Sequence, residues 1–426
     1  MTQLSRRSFL RAAGSFTAAS GVTYLFPGLA LSARAEDPPA PPSEQVRIAC
    51  IGVGRQGNAN LRGFVKNCVA VCDVDKTHLA AAAASVEKER GKAPVAEADY
   101  RKILERKDVD AVVVSTPDHW HALVTVDACN AGKDVYCEKP LTHSVVEGRA
   151  IVQAARRNKR IVQTGSQQRS DAKFRLACEL VRSGRLGQVK EVRVGLPGPN
   201  FDGPPVADSA PPAALDYDLW LGPAPQRPYN EKRVHYLFRF FWDYSGGQQT
   251  NWGAHHLDIT QWALGMDESG PVSIAGKARY HNAKWFEVPE WTEIVYEYAS
   301  GVRVVCTQSA AHGCTFIGEK GQIYVNRGKL ESNPGEIIKE PLKETDVHLY
   351  ASGNHHKNWL DCIKSRKLPI CDAEIGHRSA TVCHLGNIAI RTGRKITWDA
   401  AKEQIVGDKE ANEMLTKSYR KPWTLG

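Results

Sequence analysis

The feature that most narrows the folds open to this chain is Gly52-Val53-Gly54-Arg55-Gln56-Gly57, which ends a short apolar run beginning at Val46. A strand that closes on G-x-G-x-x-G and leads into a helix is the opening unit of a nucleotide-binding βαβ fold. The spacing gives Gly52 the tight turn, Gly54 the close approach of backbone to a pyrophosphate, and Gly57 the close packing of the helix, with Arg55 and Gln56 on the same loop. The helix N-terminus adds unpaired N–H groups and the positive end of its dipole. A second apolar run, Cys68 to Cys72, closes on Asp73, twenty-one residues after Gly52. Its carboxylate is suited to a ribose diol and repels a 2′-phosphate, so NAD is expected rather than NADP. Arg55 partly offsets that repulsion.

The pattern downstream alternates. Helices are expected over about 58–65, 76–90, 100–106 and 119–131, with strands at 110–115, 134–137 and 161–164, and a helix capped by Thr142 that reaches Arg157. The valines before Ser115 suit a strand buried on both faces. This alternation predicts a doubly wound parallel sheet over residues 46–166. After Gly165 the pattern changes. A helix at 172–183 and a strand at 189–194 precede a loop from Pro197 to Pro228, dense in Pro, Gly and Asp. A helix is expected over 251–264. Runs at 272–280, 291–298, 302–308 and 321–325 alternate as antiparallel strands do, with Gly301 at a hairpin turn. Helices return at 354–365, 373–391 and 409–418. Residues 167–426 therefore read as a second, α+β domain.

The N-terminus reads as targeting rather than fold. Ser5-Arg6-Arg7-Ser8-Phe9-Leu10 resembles a twin-arginine export signal, followed by an uncharged stretch from Ala12 to Ala33 and a small-residue cleavage site at Ala33-Arg34-Ala35. Residues 1–35 are expected to be this signal and 36–45, with four prolines, an extended linker. An uncleaved anchor is the alternative, although the stretch is weakly apolar for a spanning helix. An exported protein, periplasmic or secreted, with no stable membrane insertion after cleavage is expected. Of the formal charge of +9, four units belong to arginines of the first 35 residues, and the rest shows no basic stripe. Nucleic-acid binding gains no support from it. The eleven cysteines, many in apolar runs, read as buried free thiols; a disulfide among Cys306, Cys314, Cys362, Cys371 and Cys383 stays open.

Three further stretches carry chemistry. Thr116-Pro117-Asp118-His119-Trp120-His121 follows the valine strand, where ligands of open α/β sheets sit. Thr116, Pro117, Trp120 and His121 are expected at the cofactor, Trp120 either at the nicotinamide or covering the core. His119 and His121 alone, without a third ligand nearby, do not specify a metal, and none is expected. Glu138-Lys139-Pro140 ends another strand, placing Lys139 beside the reactive end of a dinucleotide. Burial and the cofactor's positive charge push its pKa toward neutrality, which suits proton exchange with a substrate hydroxyl. Glu138 is expected to orient it. Asn251-Trp252-Gly253-Ala254-His255-His256-Leu257-Asp258 opens a helix, and an imidazole there is matched to proton transfer at neutral pH. The aromatics between Trp220 and Trp252 serve either sugar stacking or packing.

Together these motifs resemble the glucose–fructose oxidoreductase/inositol dehydrogenase (Gfo/Idh/MocA) family, along essentially the whole chain after Val46. The export signal and Thr116 to Ala122 look like its secreted branch. The resemblance implies a Rossmann domain with a C-terminal α+β domain on a mostly antiparallel, open-faced sheet that often mediates homo-oligomers. It implies that Lys139 is catalytic, with His255 its acid/base partner, and that Asn251, His255 and His256 meet the substrate. Many relatives have aspartate where this chain has Asn251, and an amide cannot take a proton. The expected activity is NAD-dependent hydride transfer at a sugar, cyclitol or glycoside hydroxyl. The alternative is a glycosidase that uses bound NAD transiently; a third reading is a binding protein with a vestigial nucleotide site.

Overall fold

The computed structural model describes residues 45–201, 203–281 and 285–425. The export signal and nearly all of the linker read from the sequence lie outside the described residues.

Strands β1 (Ile48–Ile51), β2 (Cys68–Cys72), β3 (Val95–Glu97), β4 (Ala111–Val114), β5 (Asp134–Cys137) and β6 (Val162–Thr164) form one parallel sheet in the order 3-2-1-4-5-6. β1, β4 and β5 are buried along their whole length, as runs of Val, Ile and Cys require when helices cover both faces. Strand order reverses between β1 and β4, which leaves a crevice at their carboxyl ends. The connections are α1 (Arg55–Phe64), α2 (Lys76–Arg90), α3 (Tyr100–Leu104), α4 (Asp118–Asn130) and α5 (Val145–Arg157). α1 starts inside the glycine motif, three residues before the sequence suggests. The cap of α5 is Ser144, not Thr142: Ser144 and Glu147 form a reciprocal capping box, while the Thr142 hydroxyl donates to the Ser144 carbonyl at 2.8 Å.

The second sheet has nine strands: β7 (Val189–Gly195), β8 (Ser273–Arg279), β9 (Trp291–Glu297), β10 (Arg303–Thr307), β11 (Gly313–Gly318), β12 (Gly321–Asn326), β13 (Lys329–Asn333), β14 (Ile396–Asp399) and β15 (Gln404–Ile405), in the order 13-12-11-7-10-9-8-14-15. Its pairs are antiparallel except β7–β10. The helices that follow β6 and the aromatic loop are α6 (Ala172–Arg182), α7 (Tyr217–Leu221), α8 (Gly247–Asn251), α9 (Gly253–Leu264), α10 (His355–Ser365), α11 (Ala373–Thr392) and α12 (Lys409–Glu413). α6, α9 and α11 bury Phe174, Leu257 and Val382 against Val192, Val304 and Phe316. Glu191, Arg193, Glu293 and Arg303 line a depression on the opposite face. The helix expected over 251–264 breaks at Trp252 into α8 and α9. The last helix is shorter than its sequence pattern suggests.

Segments from the second half of the chain also complete the first core. Trp359 of α10 is fully buried, with its ring centroid 5.4 Å from Phe64 and 5.7 Å from Tyr136. All eleven cysteines are free and buried, so no disulfide forms among the five left open. Among the described residues no helix is long and apolar enough to cross a membrane.

Candidate active site

A cavity of about 1120 Å³ lies along the carboxyl ends of β1, β2, β4 and β5, and its far wall comes from the aromatic loop, α8, α9 and the turn after β12. That exceeds the ~300–1,000 Å³ usual for a single small-molecule site, leaving room for a dinucleotide and a sugar together.

The glycine loop divides its work as the spacing suggests. Gly52 has φ +78°, and a Cβ there would stand 2.7 Å from the Ser115 carbonyl carbon and the Thr116 nitrogen. A Cβ on Gly57 would stand 1.9 Å from the Gly52 carbonyl oxygen, so Gly57 serves loop–helix packing and does not line the cavity. Gly54 meets only the His78 ring, at 3.4 Å, and lines the cavity. α1 begins with no capping side chain and no acid in its first turn, so its N-terminal N–H groups stay available to an anion. Asp73 follows β2 and accepts from the Val53 and Asp75 N–H groups at 2.8 and 2.9 Å. Burial raises its pKa, against those two donors. Each oxygen retains a lone pair for a ribose hydroxyl. These features fit an adenine dinucleotide.

Arg55 and Gln56 sit beside this loop, exposed. Arg55 lies over the Tyr236 ring, 4.7 Å from its centroid. Gln56 donates to Glu138 Oε1 at 3.1 Å, as do Asn60 at 2.9 Å and Gln167 at 3.2 Å. Glu138 thus binds the loop helix to β5. It does not hold the Lys139 amine, as the sequence suggested; it accepts only the Lys139 backbone N–H. The amine is held from the other domain. Lys139 Nζ donates to Asn251 Oδ1 at 2.9 Å and to the Asn251 carbonyl at 3.0 Å. Its pKa falls to about 8, through burial first and then Arg239 and Arg327, against Glu138 and Asp118. Asn251 matters here because it accepts a hydrogen bond without adding negative charge.

His255 lines the same end of the cavity. Its Nε2 lies 3.3 Å from Arg327 Nη2. A guanidinium only donates, so Nε2 is the acceptor and the ring proton sits on Nδ1. Burial, Lys139 and Arg327 push the His255 pKa well below its ordinary value. The imidazole is therefore neutral at pH 7. His256 does not reach the cavity. Its ring is stacked on Trp252 and packed against His312, neither nitrogen has a partner, and burial lowers its pKa to about 3. Asp258 does not touch His255 either; it forms an ion pair with Arg169, both fully buried.

Thr116, Pro117, Trp120 and His121 all line the cavity. Trp120 is 6% exposed and donates to the Trp220 carbonyl at 3.0 Å, which marks it chiefly as a wall. His121 spans two loops, with Nε2 2.9 Å from the Thr116 carbonyl and Nδ1 2.7 Å from the Pro140 carbonyl. Burial opposes charge on this ring, yet Cys137, Asp118 and the Pro140 carbonyl outweigh it and raise its pKa to about 10. The ring ties the Thr116 loop to the turn that carries Lys139. His119 bonds the Trp220 carbonyl instead, so the two histidines do not face a common point. Asp75, His78 and His235 do offer ligand atoms within 4.8 Å of one another, near Asp73. The residues that sequence reading missed are Arg239 and Arg327 of the far wall, which no local pattern distinguishes; Tyr236, one of the aromatics left between stacking and packing, lines the cavity. The long loop was visible as a feature, but not which of its side chains turn inward.

This arrangement agrees with what the chain resembles. Residues 46–166 match the model described as "Oxidoreductase family, NAD-binding Rossmann fold", and residues 204–425 match "Oxidoreductase family, C-terminal alpha/beta domain". The chain belongs to the Gfo/Idh/MocA oxidoreductase family. It is 28% identical over 206 residues to an alpha-N-acetylgalactosaminidase of Shewanella oneidensis and to a glycosyl hydrolase family 109 protein of Shewanella putrefaciens. Those matches cover 44% of this chain and 45% of each relative, so the chain spans less than half the length of the curated relatives it matches. Among solved structures it superposes on the WlbA dehydrogenase of Bordetella pertussis, in complex with NADH and UDP-GlcNAcA (TM-score 0.62, 19% identity, 83% of this chain and 99% of that one). A levoglucosan dehydrogenase in complex with NADH gives TM-score 0.61 at 15% identity, with the same coverage. These two likenesses establish the shared fold.

Proposed function

We propose that this protein is an NAD-dependent oxidoreductase acting on a hydroxyl of a sugar, cyclitol or glycoside. The observation that carries the reading is the Lys139 amine, held at the strand ends by an uncharged acceptor from the facing domain, with burial lowering its pKa to about 8. Gly52, Gly54, the α1 N-terminus and Asp73 would hold NAD, which would supply the hydride acceptor when bound. The Lys139 amine takes the hydroxyl proton as the carbon loses its hydride and the carbonyl forms. Neutral His255 lines the same end of the cavity with its Nε2 accepting from Arg327, and burial with the charges of Lys139 and Arg327 keeps it from carrying the proton itself.

The second reading is a glycosidase that recycles bound NAD, and the partial likeness to family 109 proteins supports it. There, a ring alcohol would lose hydride to the bound NAD and become a ketone, and the acidified neighbouring C–H would lose its proton as the glycosidic substituent leaves as an alcohol. Water would add across the resulting enone, and return of the hydride would restore the ring alcohol. Incubating the purified protein with aryl glycosides and no added NAD separates the two. Net NADH formed on added sugar and NAD supports the dehydrogenase. Repeated aryl release without net NADH supports the glycosidase. Neither activity, with NADH bound, would leave only a binding protein.

Asn251 gives this reading a pH test. Asn251→Asp sets a carboxylate against Lys139 and stabilises the ammonium. The free amine then appears at higher pH, so the rising limb of kcat/KM, expected near pH 8 in the parent from the lowered Lys139 pKa, should move up by about one pH unit or more. An unmoved limb would remove Lys139 as the titrating base.

Export in the folded state by the twin-arginine route is part of the same proposal, because a dinucleotide is loaded where it is made. Retention of the protein in the cytoplasm after Arg6 and Arg7 are changed to lysine would test it. Self-association through the second sheet's polar face completes the reading, with sedimentation velocity as its check.

A further inference from the structure

The cations of the far wall lack their usual partners. Arginines elsewhere in the interior are matched: Arg169 with Asp258 and Asp267, Arg149 with Glu374 and Glu403, Arg227 with Asp243 and Glu287. Arg239 and Arg327 are not. Among the described residues neither has a carboxylate oxygen within 4.0 Å. Arg239 is half-buried, donates only to the Tyr236 carbonyl at 3.0 Å, and packs on the Tyr236 and Phe238 rings. Arg327 lies over Trp252 and bonds the neutral acceptors Gln168 and His255. Both line the cavity, and both lie near enough to depress the Lys139 pKa.

The nearest acids are already engaged. Asp118 accepts the Ser245 hydroxyl at 2.5 Å, and Glu138 accepts from Gln56, Asn60 and Gln167. Three basic side chains thus line one end of the cavity, with Asp118 and Glu138 acting on Lys139 and Arg239 only through space and not as bonded partners of their cationic groups. Arg239 is half-buried with no anion of its own, and burying a charge unpaired costs free energy that a ligand bringing the anion recovers; Arg327 is exposed and reaches the same end of the cavity. The planar guanidinium fork suits a carboxylate or an oxyanion bidentately. The pyrophosphate site already has its own donors at the α1 N-terminus.

We propose that Arg239 and Arg327 form an anion subsite beside Lys139, and that the sugar this protein acts on carries a negative substituent, a carboxylate or a sulfate ester. The proposal rests on the oxidoreductase reading and names its substrate class.

The test is calorimetric binding to the NAD-loaded full-length protein. The probes are D-glucuronate and D-galacturonate, the 6-sulfates of D-glucose and D-galactose, and the two neutral parents. At least one acid is expected to bind about 10- to 100-fold tighter than its parent, and the uronate and sulfate arms tell the two sources apart. Arg239→Gln and Arg327→Gln are expected to abolish that preference, and Arg327→Lys to keep part of it, with NADH affinity unchanged by fluorescence titration. No acid outbinding its parent would overturn the subsite, and so would a preference that survives both glutamine variants. Arg239→Gln loosening NADH without touching the preference would assign that guanidinium to the cofactor and also overturn it. Should one variant not fold, the parent protein's ranking of acids against neutral sugars still decides. Wild-type protein that binds NADH but ranks them alike loses the subsite and keeps the oxidoreductase reading; protein that binds no NADH loses both.

Discussion

Lys139→Ala is expected to lower kcat by about 10²–10⁴-fold, the range removed with a positioned acid–base group, while NADH still binds. The side chain enters no part of the glycine loop, and the network that ties α1 to β5 runs through Glu138. The amine's contacts are the two Asn251 oxygens. Deleting it removes the proton acceptor and leaves the fold's other bonds in place. Steady-state kinetics with NADH fluorescence as the binding control makes the measurement. A variant with near-parental kcat would move the chemistry to another residue. Loss of NADH binding would show that the lysine serves the cofactor instead.

Asp258→Ala is expected to cost about 3 kcal/mol of stability, the low end of the ~3–5 kcal/mol for breaking a buried ion pair. Arg169 and Asp258 are 1% and 0% exposed, and the carboxylate also accepts the Ser379 hydroxyl at 2.6 Å. Burial raises the Asp258 pKa even with Arg169 opposing it. The pair's importance therefore lies in leaving neither charge alone. Asp267 still meets Arg169 in the variant, which keeps the loss at the low end. Urea unfolding reads it as a lower midpoint at unchanged slope. A loss under about 1 kcal/mol would show that water enters and solvates the guanidinium. Arg169 belongs to the turn Gln167–Ser170, whose Gln168 meets Arg327 and the His255 carbonyl. Activity should fall along with stability.

Much of the first domain was legible because its strands are covered on both faces and spell continuous apolar runs. β2, β5 and α2 have the bounds that the pattern suggested. Most of what escaped lies at edges. β3 and β13 end their sheets, alternate half-buried with exposed residues, and contain no strong apolar run. β11 has four residues between two glycines and is recognisable only once β7 and β12 flank it. The α5 cap was readable: Ser144 and Glu147 have capping-box spacing, and Thr142 drew attention from them. At the site, Lys139 and His255 could be placed because each ends or opens an element. The partner of Lys139 could not, since a strand end and a residue 112 positions away meet only in three dimensions. Arg239 and Arg327 escaped for the same reason; nothing in a lysine- and arginine-rich chain marks the two that face inward without an acid.

The eleven sealed thiols make the molecule its own reporter of breathing motions. No covalent bridge restrains it, so every excursion that admits solvent to a core strand also bares a sulfhydryl to alkylation. Cys50 and Cys72 report on the parallel sheet, Cys306 and Cys314 on the other, and the order in which they react ranks how readily each layer comes apart.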